Sequence, residues 1–549
     1  MPSRPFRVLG AMAVGCLAIT CAPIAHADTD DSLSTKTPYR YSGGALQAPP
    51  VGFHRVNTQV VARHGSRGLS SFKYDALTMA IWEKANELGA VTPLGQDVHA
   101  QAMKLHEANE NLGNEGTWAH MEADGVELSK GNKLERGYGN LTRVGADQHR
   151  QLGERLAHRM PEIFNGEDNT VVVESSGEPR AAESGYDFVT GLLHGAPQMS
   201  GHMSRAIKAD TKTLYFHKDK SNPDYKAYKE YQDSKELSDY VDAVNSRPEV
   251  RKAAREVLEK IYTKDFIDRL AAGEWTFETP EGKKAKNDVD AALNLYNLYI
   301  IAPSMAAETK VDFAKYFTKD QANVFAMSLD AEDYAEKGPG FKGSDIAHRN
   351  ARPLLNDFLA QIDQQPKDHP KGSATLRFAH AETLVPFEAL IGAPGSRTQI
   401  SPQDTNFWQA TDWRGAKVAP LASNVQWDVF ESGSGQKVVR MLLNEQQATF
   451  GRGCRPISVN SFFYTLDELK HCLTGASIAD GGWLVKPSGD GPSAPTTPAP
   501  SSTAPTVTPS RPGDFAGALP ATGVLKTTVG TGGRGASAAT TPRCGRQVD

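Results

Sequence analysis

Residues 56–67 read VNTQVVARHGSR. Val56 to Ala62 is a short run of apolar and β-branched residues, and it ends abruptly in Arg63-His64-Gly65-Ser66-Arg67. A short apolar run closed by polar residues reads as a buried strand, and amphipathic, helix-like sequence follows it. Two distant segments repeat the pattern. Thr170–Ser175 leads into Ser176-Gly177-Glu178-Pro179-Arg180, and Thr375–Ala379 leads into His380-Ala381-Glu382-Thr383. Buried strands that alternate with helices predict an α/β fold with a central, mostly parallel sheet flanked by helices. In such sheets ligands bind off the carboxyl ends of the strands. If the strands are neighbours, Arg63, His64, Arg67, Arg180, His380 and Glu382 converge.

That set of residue types suits phosphoryl transfer. Guanidinium groups meet a phosphate dianion with planar, permanently charged donors, and Arg63, Arg67 and Arg180 would repel one another without an anion between them. A histidine ring nitrogen can attack phosphorus, which makes His64 the candidate nucleophile. A carboxylic acid can protonate the departing alkoxide, which gives Glu382 the role of proton donor, with His380 beside the transferring group. The chemistry requires no metal and no cofactor. Taken singly, the residues have plainer readings: His64 as the end of a strand, Arg180 as an ion pair with Glu178 or Glu183, Glu382 as a helix-start carboxylate. The three clusters together favour the chemical reading. Ser66 lacks the surroundings of a nucleophile elbow, and His99, His106 and His120 show no metal-like spacing and read as structural or exposed.

At these residues the chain resembles the histidine acid phosphatase branch of the histidine phosphatase superfamily. Arg63-His64-Gly65-Ser66-Arg67 matches its R-H-G-x-R motif. Leu141-Thr142-Arg143-Val144-Gly145 with Gln148 and Leu152-Gly153 resembles the helix before its second core strand. Ser175-Ser176 with Arg180 and Ser184 resembles the segment of its third phosphate-binding arginine. His380-Ala381-Glu382 is similar to the H-A-E form of the proton-donor motif, the form of the multiple inositol polyphosphate phosphatase group, which includes phytases. Leu69 departs from the proline that many relatives carry. The resemblance spans roughly residues 50 to 475. It implies hydrolysis of inositol polyphosphates through a phosphohistidine, with Lys73 and Thr383 as further substrate contacts. It also implies a mainly α-helical domain inserted into the α/β core. Arg205, Lys208 and Lys212 of that insert read, one by one, as solvated helix faces. Two rival functions stand beside this one: a secreted acid phosphatase for sugar phosphates or of broad specificity, and a non-catalytic surface binding protein on the same fold.

Composition sets the frame. The chain has 549 residues, 39% hydrophobic and 23% charged, with a net charge of -5. A slightly acidic chain offers no global attraction to nucleic acid or any other polyanion, so positive field must be built locally. Residues 1–27 read as a signal peptide: Arg4 and Arg7, an apolar stretch, then Ala25-His26-Ala27. Residues 28–50 are polar and expected to be poorly ordered. Residues 51–200 and 366–480 are the two parts of the α/β core, and 201–365, rich in Lys, Glu, Asp, Ala and Tyr, is the helical insert. Residues 487–518 form a Pro/Ser/Thr-rich spacer, and 519–549 hold Leu519-Pro520-Ala521-Thr522-Gly523 and a tail. The L-P-x-T-G pattern is similar to a Gram-positive sortase signal, which would couple Thr522 to peptidoglycan. The apolar span of a full signal is absent after it, so wall attachment and simple secretion stand even. Export makes a disulfide permissible, and Cys454–Cys472 is the expected pair, with Cys544 left in the tail.

Overall fold

Along Val60, Val61 and Ala62 every residue is buried, although neighbouring side chains of a strand point to opposite faces. Both faces of this strand are therefore covered. A computed structural model describes residues 31–164, 169–363, 372–451, 453–474 and the backbone of 526–529. In chain order its strands are β1 (Phe53–Arg63), β2 (Thr170–Ser175), β3 (Lys208–Ala209), β4 (Trp275–Glu278), β5 (Lys284–Ala285), β6 (Ser373–Ala379), β7 (Asn424–Ser432), β8 (Lys437–Leu443), β9 (Gln446–Ala448), β10 (Phe463–Thr465) and β11 (Lys526–Val529).

The main sheet runs β10-β8-β7-β1-β6-β2-β3, with β9 also on β8. β1, β6, β2 and β3 are mutually parallel, whereas β7 joins β1 antiparallel and β8 follows it antiparallel. In the parallel half Arg63 pairs with Ala379, and Ser175 pairs with Phe378. The carboxyl ends of β1, β6 and β2 are thus level, and the clusters that follow them share one edge. A smaller sheet sets β4 against β5 and β11.

The two faces carry different helices. Val60 and Ala62 pack in one apolar cluster with Leu152, Leu156, Phe188 and Val189, from helices Arg143–Arg159 and Pro179–Gly195. Val61 packs in the other with Leu355, Phe358 and Phe387, from Arg352–Asp363 and Ala381–Leu390. The first helix pair approaches very closely. A β-carbon on Gly153 would lie 2.0 Å from the Phe188 carbonyl oxygen, and one on Gly191 would lie 1.9 Å from that of Arg150.

The helical body is larger than the insert. Leu77, Ile81, Val98 and Leu105, from helices Lys73–Glu87 and Gln96–Glu110, share one apolar cluster with Val250, Leu258, Tyr296 and Phe325 of the insert.

Within the stretch 28–50, the described residues 31–50 depart from expectation. Asp31–Lys36 forms a 3-10 helix. Ser34 Oγ donates to Asp330 Oδ1 at 2.5 Å, Tyr296 donates to the Ser32 carbonyl at 2.7 Å, and Pro38 bridges to Leu421. Order here comes from partners distant in sequence, not from local propensity. Cys454 and Cys472 are disulfide-bonded, with Cα atoms 5.1 Å apart. The signal-peptide stretch 1–27, the spacer 487–518, the LPATG stretch with Thr522, and Cys544 lie outside the described residues.

Candidate active site

The turn after β1 is held from below by backbone contacts that need glycine. A β-carbon on Gly65 would come 2.5 Å from the Gly145 carbonyl oxygen, and one on Gly145 would come 2.2 Å from that of Ser66. Thr142, the N-cap of helix Arg143–Arg159, donates through both its N–H and Oγ1 to the Ser66 carbonyl, at 2.9 and 3.0 Å. Gln148 Oε1 accepts from the Ser66 N–H at 2.9 Å, and Ser184 Oγ accepts from the Gly65 N–H at 3.1 Å. His149 is buried and kept neutral, its pKa pulled down to about 3 by burial, and its Nε2–H donates to the Arg63 carbonyl at 3.1 Å. The turn is therefore fixed from both neighbouring helices before any ligand arrives.

Within this cradle the tautomer of His64 follows from its partner. Nδ1 lies 2.9 Å from the Gly65 carbonyl oxygen, which can only accept, so Nδ1 carries the proton and Nε2 keeps a lone pair. His64 is buried, and its pKa falls well below the ordinary value through burial and the nearby cations Arg180, Arg63 and Arg67. The imidazole is neutral and nucleophilic at Nε2. His380 lies edge-on to it, ring centroids 5.5 Å apart. Arg180 Nη2 is 3.3 Å from His380 Nδ1, and since a guanidinium only donates, Nδ1 accepts and Nε2–H donates to Ser176 Oγ at 2.7 Å. Both His380 nitrogens are thus engaged, and the ring orients Arg180, which also meets Glu178 at 3.3 Å.

Arg63 Nη1 donates to the carbonyls of Thr35 and Ala419, at 2.6 and 2.5 Å, and Arg67 Nη1 donates to that of Gly68 at 2.6 Å. Carbonyl partners fix direction and leave the charge uncompensated. Burial lowers Arg63 to about 10, and burial with repulsion from Arg180 and Arg63 lowers Arg67 to about 9, so both remain cations at neutral pH. By contrast, the buried Arg377 and Arg440 elsewhere in the sheet each face a carboxylate, Asp357 and Asp428. Among the described residues neither Arg63 nor Arg67 has a carboxylate within ion-pairing distance, so an anion set between them would be strongly favoured.

Glu382 stands at the first turn of helix Ala381–Leu390, its side chain half-exposed at 46%. Lys337 Nζ lies 3.9 Å from its Oε1 and 2.9 Å from Asp333 Oδ1. Desolvation acts to raise the Glu382 carboxyl, yet the charge of Lys337 holds it well below the usual range. Without substrate it is a carboxylate.

The remaining predicted residues divide. Lys73 opens helix Lys73–Glu87 with its ammonium 4.5 Å from the Tyr74 ring centroid, beside the residue whose phenol acts on Arg67. Thr383 is corrected: it is fully buried, and its hydroxyl donates to the Leu214 carbonyl at 2.8 Å. It ties the Glu382 helix to segment 211–214, and its hydroxyl proton is spent on that bond. Several residues near the site escaped the sequence reading. Lys337 and Asp333 are an i,i+4 pair on helix Lys319–Lys337, which in sequence looks like any solvated ion pair. Thr35 and Lys36 lie in a stretch with no element signal. Tyr215, its ring 5.0 Å from that of His380, and His217 carry no motif.

The model of the histidine phosphatase superfamily (branch 2) matches residues 57–444. The chain belongs to that family. Its members are phosphomonoester hydrolases, and so is this chain. The chain is 32% identical to the multiple inositol polyphosphate phosphatase of Bifidobacterium longum, solved in complex with inositol hexasulfate; the match covers 81% of this chain and 97% of that one, with a TM-score of 0.70. It is 23% identical over 336 residues to multiple inositol polyphosphate phosphatase 1 of Homo sapiens, a match covering 56% of this chain and 61% of the length of that relative. A phytase from D. castellii, 14% identical with a TM-score of 0.53 over 81% of this chain and 84% of that one, shares the fold.

Proposed function

We propose that this histidine phosphatase hydrolyses phosphomonoesters of inositol polyphosphates through a phosphohistidine formed on His64. The observation that carries the mechanism is the His64 Nδ1–H···O=C bond to Gly65, which leaves the Nε2 lone pair free among the guanidinium groups. Arg63, Arg67 and Arg180 would hold the scissile phosphate, with Arg180 oriented by His380. His64 Nε2 attacks phosphorus as the bond to the ester oxygen breaks, and Glu382, as the carboxylic acid, passes its proton to the departing alkoxide. Water then attacks phosphorus, Glu382 takes the water proton, and the N–P bond breaks to release phosphate and neutral imidazole. The dianion itself supplies the proton balance: set beside Glu382, its charge opposes that of Lys337 and raises the carboxyl toward protonation.

The substrate class rests on likeness and on charge. A relative at 32% identity binds inositol hexasulfate, and lysines 36, 73 and 337 add cations beyond those one phosphate needs. Export is part of the proposal. It is supported by the signal-peptide pattern of residues 1–27 and by a disulfide that suits an oxidising compartment. Attachment to the cell wall through Thr522 is proposed only as the alternative to release.

The test compares phosphate release from inositol hexakisphosphate and glucose 1-phosphate at equal concentration. Preference for the inositol ester is expected; preference for the sugar phosphate would overturn the substrate assignment. The His64→Ala variant should lose at least about a thousandfold in kcat, and unchanged phosphate release would remove the phosphohistidine. A wild type with no turnover of either ester would leave a binding protein.

A further inference from the structure

The segment Asp31–Tyr39 lies across the join between the helical body and the sheet, and one residue ties it to both halves of the catalytic machinery. The Thr35 carbonyl accepts from Arg63 Nη1 at 2.6 Å. The Thr35 hydroxyl donates to Asp333 Oδ2 at 3.1 Å, and Asp333 Oδ1 in turn holds Lys337, the cation next to Glu382. The segment is not loosely laid. Ser34 and the Gly415 N–H share the buried Asp330 carboxylate, at 2.5 and 2.8 Å. Tyr39 donates to Glu445 Oε2 at 2.9 Å, and its N–H donates to the Leu421 carbonyl at 3.1 Å.

Next to Thr35 stands a cation with no carboxylate of its own. Lys36 Nζ donates to Thr35 Oγ1 at 3.1 Å, and among the described residues no carboxylate oxygen lies within ion-pairing distance of it. An ammonium has three donors, so two remain to be satisfied. Burial, with Arg63, Arg67 and Lys337 around it and Asp333 opposing them, lowers it to about 7. A lysine fixed by a bonded backbone, part-buried and facing the phosphate-clamping arginines is an unfavourable arrangement unless further negative charge arrives. One phosphate between Arg63, Arg67 and Arg180 already has its donors.

We propose that Lys36 is a specificity-determining residue that binds a second phosphate of the substrate, so that the N-terminal segment discriminates polyphosphorylated esters from singly phosphorylated ones. This rests on the inositol polyphosphate reading above. The residue adds binding energy remote from the reacting phosphorus and touches no reacting atom. Its removal therefore acts on KM for a polyanion and leaves the chemical step intact.

The experiment measures kcat and KM of the full chain for inositol hexakisphosphate and for p-nitrophenyl phosphate, in wild type, Lys36→Met and Lys36→Arg. In Lys36→Met, KM for inositol hexakisphosphate should rise about tenfold with kcat within about twofold, the equivalent of about 1.4 kcal/mol of binding. The constants for p-nitrophenyl phosphate should stay as in wild type, and Lys36→Arg should restore most of the lost affinity. An equal loss on both substrates, or a fall in melting temperature that accounts for it, would show a merely structural residue and overturn the proposal, as would no change on either. A wild type that does not turn over inositol hexakisphosphate overturns the substrate reading itself, and the Lys36 assignment with it.

Discussion

Lys337 and Glu382 face each other at 3.9 Å across the boundary between the helical body and the sheet. The helix Lys319–Lys337 brings the ammonium, held by Asp333 and Glu336, at 2.9 and 3.5 Å; the helix Ala381–Leu390 brings the carboxylate. Burial opposes the Lys337 charge, but Asp333, Glu336 and Glu382 outweigh it and hold its pKa well above the ordinary value. Glu382 therefore rests as an anion beside a permanent cation.

Removing that cation has a definite sign. A general acid must be protonated, so activity falls as pH rises through its pKa, and kcat/KM reports the value in the free enzyme. In Lys337→Met the Glu382 carboxyl loses the charge that depresses it, its pKa rises, and the basic limb of the kcat/KM profile moves to higher pH. A pH–rate series on wild type and variant checks this; an unmoved or downward-shifted limb would detach Lys337 from Glu382.

Protonation of the leaving group matters in proportion to how badly the group leaves. Glu382→Gln keeps the shape and removes the proton. On inositol hexakisphosphate, whose ring oxygen departs as an alkoxide, kcat should fall about 10²–10⁴-fold. On p-nitrophenyl phosphate, whose phenolate is stable, the loss should be at least about tenfold smaller. Equal losses on both esters would mean that Glu382 acts otherwise than as an acid.

Glu183 offers a stability test away from the chemistry. It lies on the buried face of helix Pro179–Gly195, accepts from the Trp118 indole at 2.9 Å, and burial raises it to about 8. Below about pH 4.3, the usual carboxyl value, folded and unfolded chains are both protonated and no penalty exists. Above it the unfolded chain ionises first, so stability declines until the folded carboxyl titrates as well. Glu183→Gln should stabilise the protein by about 1–2 kcal/mol at pH 7 and by little at pH 4, read from denaturant midpoints.

The crossing of Arg143–Arg159 with Pro179–Gly195 depends on absent side chains. With 1.9 Å between a β-carbon at position 191 and the Arg150 carbonyl oxygen, Gly191→Ala must push the helices apart. A loss of about 1–3 kcal/mol is expected, together with lower activity, because Ser184 and Gln148 on these same helices hold the turn of Gly65 and Ser66. A melting curve like that of wild type would show that the crossing can relax.

The parallel half of the sheet was legible because its strands carry continuous apolar runs: Val60–Ala62 is buried on both faces, and Val171–Val173 reads alike although only Val173 is fully buried. Arg63, His64, Arg67, Arg180, His380 and Glu382 were legible for a related reason: each lies within five residues of the end of such a strand, so strand alignment brings them to one edge. Lys36, Thr35, Asp333 and Lys337 had no such marker. Their partners lie hundreds of positions away, and a polar 3-10 turn or an i,i+4 ion pair reads alike whether it faces solvent or a reacting group. Thr383 misled for the opposite reason, since adjacency to Glu382 says nothing of which side of the helix it occupies; its hydroxyl faces Leu214.

The sequence by itself determined which residue types stand at the strand ends, because strand ends and residue types are local properties. Tertiary structure decided their protonation and their charge environment. The tautomers of His64 and His380 depend on the Gly65 carbonyl, Ser176 and Arg180, the anionic rest state of Glu382 on Lys337, and the order of Asp31–Tyr39 on Asp330 and Tyr296. Those are questions of electrostatic energy, which falls off with distance in space and takes no account of separation along the chain.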